Sequence, residues 1–321
     1  LSHSKWSGDE SEGSFSMTEQ PLPMGLTATY DGERYRPRLF GIAYRMLGIV
    51  TDAEDAVQEA YLRWEHARAR GEHIAAPEGW LVTVVTRLCL DQLRSARRQR
   101  ETYIGPRLPE PLIQVPGPDA VEAAELTESL SMAFLILLER LSPVERAVLL
   151  LHDVFGYAHA EISALVGKSE TACRQMLRRA RERIGGGQPR FQAAIEDGNR
   201  LAAEFLSACT EGDLPRLLAL LTEDVELVAD GGGKVPSVRH PLRGADLVAP
   251  FLLRIAQLAP AGWTATLVMV NGEPGIVARY ADGRPLSVMS LALVEGRIAA
   301  IRIVNNPDKL SAVPAASVSQ G

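Results

Sequence analysis

The feature that most constrains this chain is a helix-turn-helix pattern at residues 142–184, which requires short helices packed around a small shared core. Ser142 supplies a hydroxyl cap, Pro143 occupies the first helical position, and Glu145 stands at the third. These three residues form a capping box, which predicts that a helix begins here. We expect this first helix to continue to about Asp153.

Two further helices complete the pattern. The segment AHAEISALVG should end at Gly167, and Ser169 should cap a last helix, ETACRQMLRRARERI. One face of the last helix is an apolar seam at helical spacing, made of Cys173, Met176, Leu177, Ala180 and Ile184. The opposite face carries Thr171, Arg174, Gln175, Arg178 and Arg179. Arginine binds phosphate or guanine and glutamine pairs with adenine, so this face is typical of a major-groove reader, although a solvated basic helix shares the pattern.

The charge distribution narrows how this chain could contact nucleic acid. Its net charge of −6 excludes coating nucleic acid by bulk positive charge. Basic residues cluster in two places instead: the arginines within 174–183, and Arg87, Arg94, Arg97, Arg98 and Arg100. Residues 108–139 between the clusters contain no Lys or Arg and are rich in Glu. The pattern indicates two nucleic-acid contacts joined by an acidic segment that could cover them when DNA is absent.

Several other classes of protein are disfavoured. Cys89, Cys173 and Cys209 are far apart and lack metal-ligand spacing, so we expect small apolar residues in a reducing cytosol, with no metal and no cofactor. No run of about 18 apolar residues occurs, so we expect no membrane span and a cytoplasmic location. Residues 1–16 are polar and are typical of a vector-derived leader before a natural start at Met17.

The chain as a whole divides into helical, linker and mixed parts. In order, these are 17–102 (helical), 103–125 (an acidic, proline-rich linker), 126–187 (helical), 191–304 (mixed) and 305–321 (a tail). In the mixed part, helices at about 193–211 and 213–221 precede the strand TEDVELVAD, and a helix follows at about 244–258. Short runs of Val, Ile and Leu broken by turn residues then predict a meandering sheet, so this part is α+β.

The first helical part contains a candidate protein-binding face. Thr51 and Glu54 predict a capping box at the start of a helix. Its buried stripe should consist of Ala53, Ala56, Val57, Ala60, Tyr61 and Trp64. The other face carries Asp55, Gln58, Glu59 and Leu62. An exposed leucine among acids indicates a protein contact, although an ordinary solvated face is the open alternative.

The next helix, beginning near Glu78, is a candidate for contact with unpaired bases. Its inward residues should be Leu81, Val84, Val85 and Leu88. Its outer face carries Thr83, Arg87, Asp91, Arg94 and Arg98. Trp80 at the start of the helix could stack on an unpaired base beside this basic face, or could be a core residue.

Three stretches resemble a bacterial sigma factor of the extracytoplasmic-function (ECF) type. DAEDAVQEAYLRW (52–64) resembles region 2.2, GWLVTVVTRLCLDQLRSARR (79–98) resembles regions 2.3 and 2.4, and residues 142–184 resemble region 4. The resemblance implies binding to core RNA polymerase at its β′ clamp and β flap. The β′ clamp would be bound by the region 2.2 surface, with Asp52, Asp55, Gln58, Glu59 and Leu62 as the polymerase-binding residues. It implies binding to the −10 promoter element through Trp80, Thr83, Arg87, Asp91, Arg94, Arg97 and Arg98. It implies binding to the −35 element through Ser169, Thr171, Arg174, Gln175, Arg178 and Arg179.

Three shorter motifs sharpen the resemblance. YIGPRLPEP (103–111), DGGGK (230–234) and NPDKL (306–310) are similar to the signatures of ECF group 41, whose members carry a fused SnoaL-like domain of the NTF2 superfamily. The implied fold is multidomain: two all-α helical sigma domains and a C-terminal α+β cone-shaped domain. The regulatory contacts between domains would involve Leu108, Pro109, Glu110, Pro111, Asp230, Gly231, Gly232, Gly233, Lys234, Asn306, Pro307, Asp308, Lys309 and Leu310. The chain departs from the pattern at Arg107, where the group has Trp, and at Arg87, where many ECF factors have Asn.

The resemblance predicts a monomeric promoter-specificity factor, not an enzyme, whose fused domain replaces a separate anti-sigma factor. Replacing Asp230 or Lys234 with Ala is expected to change promoter output. NTF2-like enzymes need a base in an apolar pocket, and the candidates here are Asp230, His240, Tyr280 and Asp282. Two alternatives stay open: a ligand-responsive helix-turn-helix regulator, and a DNA-binding protein carrying a cyclase- or isomerase-like enzyme. Nothing in the sequence identifies a small ligand for the pocket.

Overall fold

Helices come first in this chain and strands last, as the residue spacing predicts. The computed structural model describes residues 33–100, 103, 105–114, 130–185 and 195–314. The chain divides into two units at Tyr35, and residues 36–321 form the second unit. The predicted leader at residues 1–16 lies outside the described residues, as does the acidic stretch 115–129 of the predicted linker.

Three helices form the N-terminal segment (residues 36–100): α1 (Arg36–Leu47), α2 (Val50–Ala69) and α3 (Pro77–Arg100). The predicted capping box of Thr51 and Glu54 is wrong, because α2 begins one residue before Thr51 and Ile49 provides no side-chain cap. The Glu110 carboxylate accepts a hydrogen bond from the Val50 amide instead, at 2.7 Å. A residue 60 positions away therefore caps this helix, which no local spacing could indicate.

The buried stripes of α2 and α3 follow the predictions in part. In α2, Tyr61 is only half-buried, and the other five predicted stripe residues are buried. In α3, Leu81 and Val85 are buried, but Val84 and Leu88 are half-buried. The further buried residues of α3 are Val82, Thr86, Cys89, Leu90 and Leu93. The stripe is displaced because α3 packs against α1 and α2 and also against two helices of the next segment.

The middle segment (residues 130–185) contains the helix-turn-helix. Its helices are α4 (Met132–Leu138), α5 (Pro143–Leu149), α6 (His159–Val166) and α7 (Glu170–Ile184). Ser142 and Glu145 form the predicted capping box of α5. The helix does not stay regular to Asp153, because Leu150–Val154 is π-helical. Gly167 ends α6 with a φ of 66°, the left-handed conformation that glycine adopts without a steric cost.

The C-terminal segment (residues 195–314) combines helices with a sheet. Its elements are α8 (Ile195–Glu211), α9 (Leu214–Leu220), β2 (Leu221–Asp230), β3 (Leu242–Arg243), α10 (Ala245–Gln257), β4 (Thr264–Val270), β5 (Glu273–Arg279), β6 (Pro285–Val294), β7 (Arg297–Val304) and a 3-10 turn, Pro307–Lys309. Strands β4 to β7 form an antiparallel meander, and β2 lies parallel to β7. The predicted α+β order is therefore observed.

The linker contributes a strand to this sheet. Among the described residues, seven strands form one sheet in the order β1-β4-β5-β6-β7-β2-β3. The edge strand β1 is Ile113–Gln114, and it pairs antiparallel with Val270 and Met269 of β4. The sequence predicted only a linker here, because two residues are too few to show an alternating pattern.

The two faces of the sheet pack against different parts of the chain. One face packs on α8, α9 and α10 in a core that includes Phe205, Val248, Ile276 and Leu291. The other face forms an apolar cluster with residues from the linker and from α4, which we call the linker cluster. Its buried members are Leu108, Met132, Val270, Val277, Val288, Val304, Leu310 and Val313. Alternation along the strands places neighbours such as Ile276 and Val277 on opposite faces.

Candidate nucleic-acid interface and the contacts around Asp230

Helix α7 has the buried and exposed faces that its sequence predicts. The Ser169 hydroxyl accepts a hydrogen bond from the Ala172 amide at 3.2 Å and caps the helix. Cys173, Met176, Leu177 and Ala180 are buried, and Ile184 is half-buried. The five predicted outward residues, Thr171, Arg174, Gln175, Arg178 and Arg179, are all exposed. This face is therefore free to meet a DNA groove.

The arginines of the exposed face form ion pairs that phosphate could replace. Arg174 pairs with Glu170 at 3.3 Å and Arg178 with Glu182 at 2.9 Å, one helical turn apart in each case. Solvated pairs of this kind contribute about 0–1 kcal/mol, so breaking them costs little when DNA binds.

Two other arginines of α7 point toward the body of the segment. Arg183 pairs with Glu145 at 2.5 Å, and Arg181 pairs with Asp153 at 2.5 Å. Partial burial acts to raise the pKa of Glu145, but hydrogen bonds from Ser142 and the nearby guanidinium groups outweigh burial and lower that pKa. These pairs join α7 to α5 and to the π-helical turn, and they set the position of the exposed face.

Helix α3 carries the second predicted nucleic-acid face. Trp80 and Thr83 are half-buried, and the Thr83 hydroxyl donates to the Gly79 carbonyl at 2.7 Å. Asp91 and Arg94 are exposed and pair with each other at 3.1 Å. The side chains of Arg97 and Arg98 lie outside the described residues.

Arg87 joins α3 to the helix-turn-helix. Its guanidinium donates hydrogen bonds to the carbonyls of Leu165 at 3.4 Å and Ala164 at 3.5 Å. Both carbonyls belong to the last turn of α6, where the helix dipole attracts a cation. Arg87 is predicted to bind the −10 element. In the structure it contacts the helix-turn-helix, which is predicted to bind the −35 element.

The predicted polymerase-binding residues lie on α2. Asp55 and Gln58 are exposed, Glu59 is half-buried, and the Leu62 side chain is 49 % exposed. Asp52 is half-buried, and burial and the neighbouring Asp55 raise its pKa. An exposed leucine beside carboxylates is a surface that a protein partner could cover.

Asp230 is the centre of a buried polar cluster that joins the linker to the C-terminal segment. Its carboxylate accepts hydrogen bonds from the Tyr103 hydroxyl at 2.5 Å, the Leu108 amide at 2.9 Å and the Gly232 amide at 2.9 Å. The Lys309 ammonium pairs with the same carboxylate at 2.7 Å and also donates to the Leu108 carbonyl. These five residues are the Asp230 cluster. Burial lowers the pKa of Lys309, and Asp230 opposes that shift.

The three short motifs meet at this cluster. The Asn306 amide donates to the Tyr103 hydroxyl at 3.0 Å, which links NPDKL to the linker. Gly232 of DGGGK has a φ of 61°, and a Cβ there would overlap the Asn306 side chain. Lys234 instead lies at the surface, where it pairs with Asp308 at 2.6 Å.

The other predicted regulatory residues surround the cluster. The buried ones are Pro109, Glu110, Pro111, Gly231 and Leu310, and the exposed ones are Gly233, Pro307 and Asp308. The Arg107 guanidinium, at the position where the group has Trp, lies over the Tyr103 ring, 5.7 Å from its centroid. Arg107 therefore makes a cation–π contact with Tyr103.

A second polar contact joins the linker to α1 and was not predicted from the sequence. Asn271, fully buried with a φ of 53°, accepts a hydrogen bond from the Leu112 amide at 3.0 Å and donates to the Tyr44 hydroxyl at 2.7 Å. Tyr44 in turn donates to the Glu110 carbonyl at 2.6 Å. The Asn271–Gly272 dipeptide is a turn signal that the sequence itself shows. The hydrogen-bond partners of Asn271 lie 159 and 227 residues away, and no local pattern indicates them.

The four candidate catalytic residues are not brought together. Asp230 belongs to the buried cluster, and His240 is exposed. Tyr280 and Asp282 line a cavity of about 1030 Å³ in the C-terminal segment. A hydrogen bond from the Arg284 amide and the Arg284 side chain lower the pKa of Asp282, which makes this carboxylate a poor base.

The described residues contain neither a metal-binding group nor a membrane-spanning helix. Among the residues that the structure describes, no group of His, Cys, Asp or Glu could hold a metal ion. In the same residues, every helix is too short or too polar to cross a membrane.

Comparisons with known proteins identify two sigma-70 regions in this chain. The model of Sigma-70 region 2 matches residues 33–99, and that of Sigma-70, region 4 matches residues 131–184. The ECF RNA polymerase sigma factor SigJ of Mycobacterium tuberculosis is 37 % identical over 293 residues, covering 88 % of this chain and 93 % of SigJ. The probable ECF RNA polymerase sigma factor SigI of the same species is 33 % identical, covering 86 % of this chain and 92 % of SigI.

A solved structure matches most of the chain. The crystal structure of M. tuberculosis SigJ superposes with a TM-score of 0.70 at 36 % identity, covering 88 % of this chain and 97 % of SigJ. A SnoaL-like protein from Burkholderia thailandensis covers 34 % of this chain and 92 % of its own, at 19 % identity and a TM-score of 0.26. The predicted fold class is confirmed as helical sigma domains followed by an α+β part.

Proposed function

We infer that this chain, which belongs to the ECF RNA polymerase sigma factors, is kept in a closed arrangement by its own C-terminal segment. As a sigma factor it directs promoter-specific initiation of transcription by RNA polymerase. The closed arrangement is the one in which α3 contacts α6. The C-terminal segment then has the role that a separate anti-sigma factor has elsewhere.

The observation that carries this proposal is the contact of Arg87 with the carbonyls of Ala164 and Leu165. The −10 and −35 elements lie about 25 base pairs apart, or about 85 Å along B-DNA at 3.4 Å per base pair. Helices α3, α6 and α7 contain 24, 8 and 15 residues, so end to end they span only about 70 Å at 1.5 Å per residue. Helices in mutual contact therefore cannot read both elements at once.

The C-terminal segment is bonded to the linker, to α1 of the N-terminal segment and to α4 of the middle segment. The Asp230 cluster binds the linker, and strand β1 of the linker extends the sheet. Asn271 bonds to Tyr44 of α1. The Glu273 carboxylate accepts a hydrogen bond from the Met132 amide of α4, and Met132 is buried in the linker cluster. Opening would break these contacts together, which supports a restraining role.

We also propose which residues meet polymerase and DNA, on the basis of where their side chains lie. The exposed face of α2 with Leu62 fits a protein partner, here core polymerase. The exposed arginines and Gln175 of α7 fit the −35 duplex. On α3, Arg87 would have to leave α6 before it could meet the −10 element.

In-vitro transcription with core RNA polymerase and the chain's own promoter region tests the restraint. Asp230→Ala removes the centre of the buried cluster, and Asp282→Ala is the matched control because Asp282 is an exposed aspartate of the same segment. We expect Asp230→Ala to raise transcript yield over the unchanged chain and Asp282→Ala to leave it unchanged. Equal or lower yield with Asp230→Ala would overturn the restraining role, and lower yield would mean that the contact supports activity.

A further inference from the structure

The linker lies against one end of the α2 face that is proposed to bind core polymerase. The Glu110 amide donates a hydrogen bond to the Gly48 carbonyl at 2.8 Å, and the Glu110 carboxylate accepts one from the Val50 amide at 2.7 Å. Asp52 lies in the first turn of α2, next to these contacts. Asp52 is half-buried, whereas Asp55, one turn further along the face, is exposed. A partner of α2 would therefore meet the linker at the Asp52 end of the face.

Arg107 of the linker carries a positive charge that reaches two other segments. Its Nε lies 4.0 Å from Oε1 of Glu139, the residue that follows the last turn of α4. Burial and the neighbouring Asp55 raise the pKa of Asp52, and the charge of Arg107 opposes that rise. The guanidinium also lies over the Tyr103 ring. Arg107 thus joins the linker electrostatically to the start of α2 and to the end of α4.

The contacts of Arg107 can be exchanged for others at little cost. The side chains of Arg107 and Glu139 are both partly exposed, and 4.0 Å is a long distance for an ion pair. Water and salt screen such a pair, so its loss costs far less than the loss of the buried pair of Asp230 and Lys309. A basic side chain of a protein partner could replace Arg107 beside Asp52 and leave the carboxylate with a cation.

We propose that Arg107 occupies, in the closed chain, the place beside Asp52 that a basic side chain of core polymerase takes in the complex, so that polymerase binding displaces the linker from α2. This inference rests on the proposed function, which assigns the polymerase-binding face to α2. It adds an order of events, because polymerase itself loosens the linker before promoter DNA is bound. The measured affinity for polymerase is then reduced by the fraction of chains in which Arg107 has left Asp52.

Binding of the labelled full chain to core RNA polymerase, followed by fluorescence anisotropy, tests the role of the charge. Arg107→Gln should bind about threefold or more tightly than the unchanged chain, because the competing cation is gone. Arg107→Lys keeps the cation and should bind like the unchanged chain. Arg140→Gln is the matched control, since it removes the same charge from an exposed arginine next to Glu139. Equal affinity of Arg107→Gln and the unchanged chain, or equal gains in Arg107→Gln and Arg107→Lys, would overturn the proposal.

A double-mutant cycle tests whether Arg107 acts through Asp52. Asp52→Asn should weaken binding, because the polymerase cation loses its carboxylate. In the Asp52→Asn background, Arg107→Gln should bring no further gain in affinity. A gain as large as in the unchanged background would refute competition for Asp52.

Hydrogen exchange tests the displacement of the linker directly. With core polymerase bound, the amides of residues 105–114 should exchange faster than in the free chain, because the Glu110 amide loses the Gly48 carbonyl. In the free chain, Arg107→Gln should speed exchange of the same amides and Arg140→Gln should not. Unchanged or slower exchange in the polymerase complex would mean that the linker stays on α2, and would reject the displacement.

These results can be separated from a failure of the proposed function. Asp55→Ala changes an exposed carboxylate of the same face, and it should weaken polymerase binding. Weaker binding of Asp55→Ala without a gain in Arg107→Gln would reject the competition and leave the polymerase-binding face in place. Unchanged binding of Asp55→Ala and Asp52→Asn would reject that face. The restraint by the C-terminal segment is measured independently, by the effect of Asp230→Ala on transcription.

Discussion

The helix-turn-helix and the Asp230 cluster are built from contacts of opposite range. In the helix-turn-helix, Ser142 caps with Glu145 and Ser169 with the Ala172 amide, three residues away in each case. Asp230 meets Leu108 and Tyr103 across 122 and 127 residues. The helices of the helix-turn-helix can thus be specified by their own short sequence. The Asp230 cluster forms only when the linker, the sheet and the C-terminal turn have all assembled.

The two regions also differ in how much stability is lost when an ion pair is broken. The side chains of Arg178 and Glu182 are 81 % and 60 % exposed, so their pair is screened and weak. Those of Lys309 and Asp230 are 8 % and 0 % exposed. Breaking a buried pair from one side leaves an uncompensated charge and is costly. The exposed pairs of α7 can therefore be exchanged for other partners at little cost, whereas the buried pair of Asp230 and Lys309 cannot lose one partner cheaply.

The largest expected effect comes from removing the centre of the cluster. Asp230→Ala should lower the free energy of unfolding by about 3–5 kcal/mol, because the buried Lys309 ammonium and the Leu108 amide lose their partner. Equilibrium denaturation measures this. Asp282→Ala is the matched control and should stay within about 0.5 kcal/mol of the unchanged chain.

Lys234 sharpens the same comparison, because it belongs to the DGGGK motif but not to the buried cluster. Lys234→Ala breaks only an exposed pair with Asp308, so it should cost about 0–1 kcal/mol. If Lys234→Ala lowered the free energy of unfolding as much as Asp230→Ala does, burial would not explain the difference expected between these two ion pairs.

The next largest effect is expected at Asn271, which joins the linker to α1. Asn271→Ala removes hydrogen bonds to Leu112 and Tyr44 and should cost about 1–3 kcal/mol in equilibrium denaturation. Alanine is also strained at a φ of 53°, because it has a Cβ atom and, unlike asparagine, no side chain that can hydrogen-bond to the local backbone. Asn271→Gly removes the same bonds without that strain, so the difference between the two variants isolates the strain. Two variants as stable as the unchanged chain would show that this contact does not hold the linker.

A local contact should show a smaller effect. Ser169→Ala removes the cap of α7 and should cost about 1 kcal/mol. Ser163→Ala is the control, since its hydroxyl bonds only to a carbonyl within its own helix and caps nothing. Thermal unfolding of both variants gives the comparison. Similar losses in Ser169→Ala and Ser163→Ala would mean that the cap is not what stabilises α7.

The smallest expected effect is a pH dependence from Glu145. Its folded-state pKa lies below the unfolded value of 4.5, so the carboxylate stabilises the fold fully above that value. The stabilisation is lost as the pH falls through the folded-state pKa. Glu145→Gln should therefore lower stability at neutral pH and flatten the decline on acidification, as denaturation at a series of pH values would show. An equally steep decline in Glu145→Gln would assign the pH dependence to other carboxylates.

Local spacing predicted much of this molecule. The limits of α6 and α7, the cap at Ser169, the capping box at Ser142 and the outward arginines all follow from residues within about one helical turn of each other. The resemblance also singled out DGGGK and NPDKL, and both motifs contribute residues to the Asp230 cluster.

Only the tertiary structure decided where the long-range partners meet. The sequence placed a capping box at Thr51, but Glu110 caps α2, and it treated Ile113 and Gln114 as linker, but they extend the sheet. The interactions that start, end and orient a helix join residues three or four positions apart, so the local sequence is enough to predict them. The contact of Arg87 with Leu165 depends on which distant segments lie side by side after folding. Local residue spacing carries no information about such neighbours.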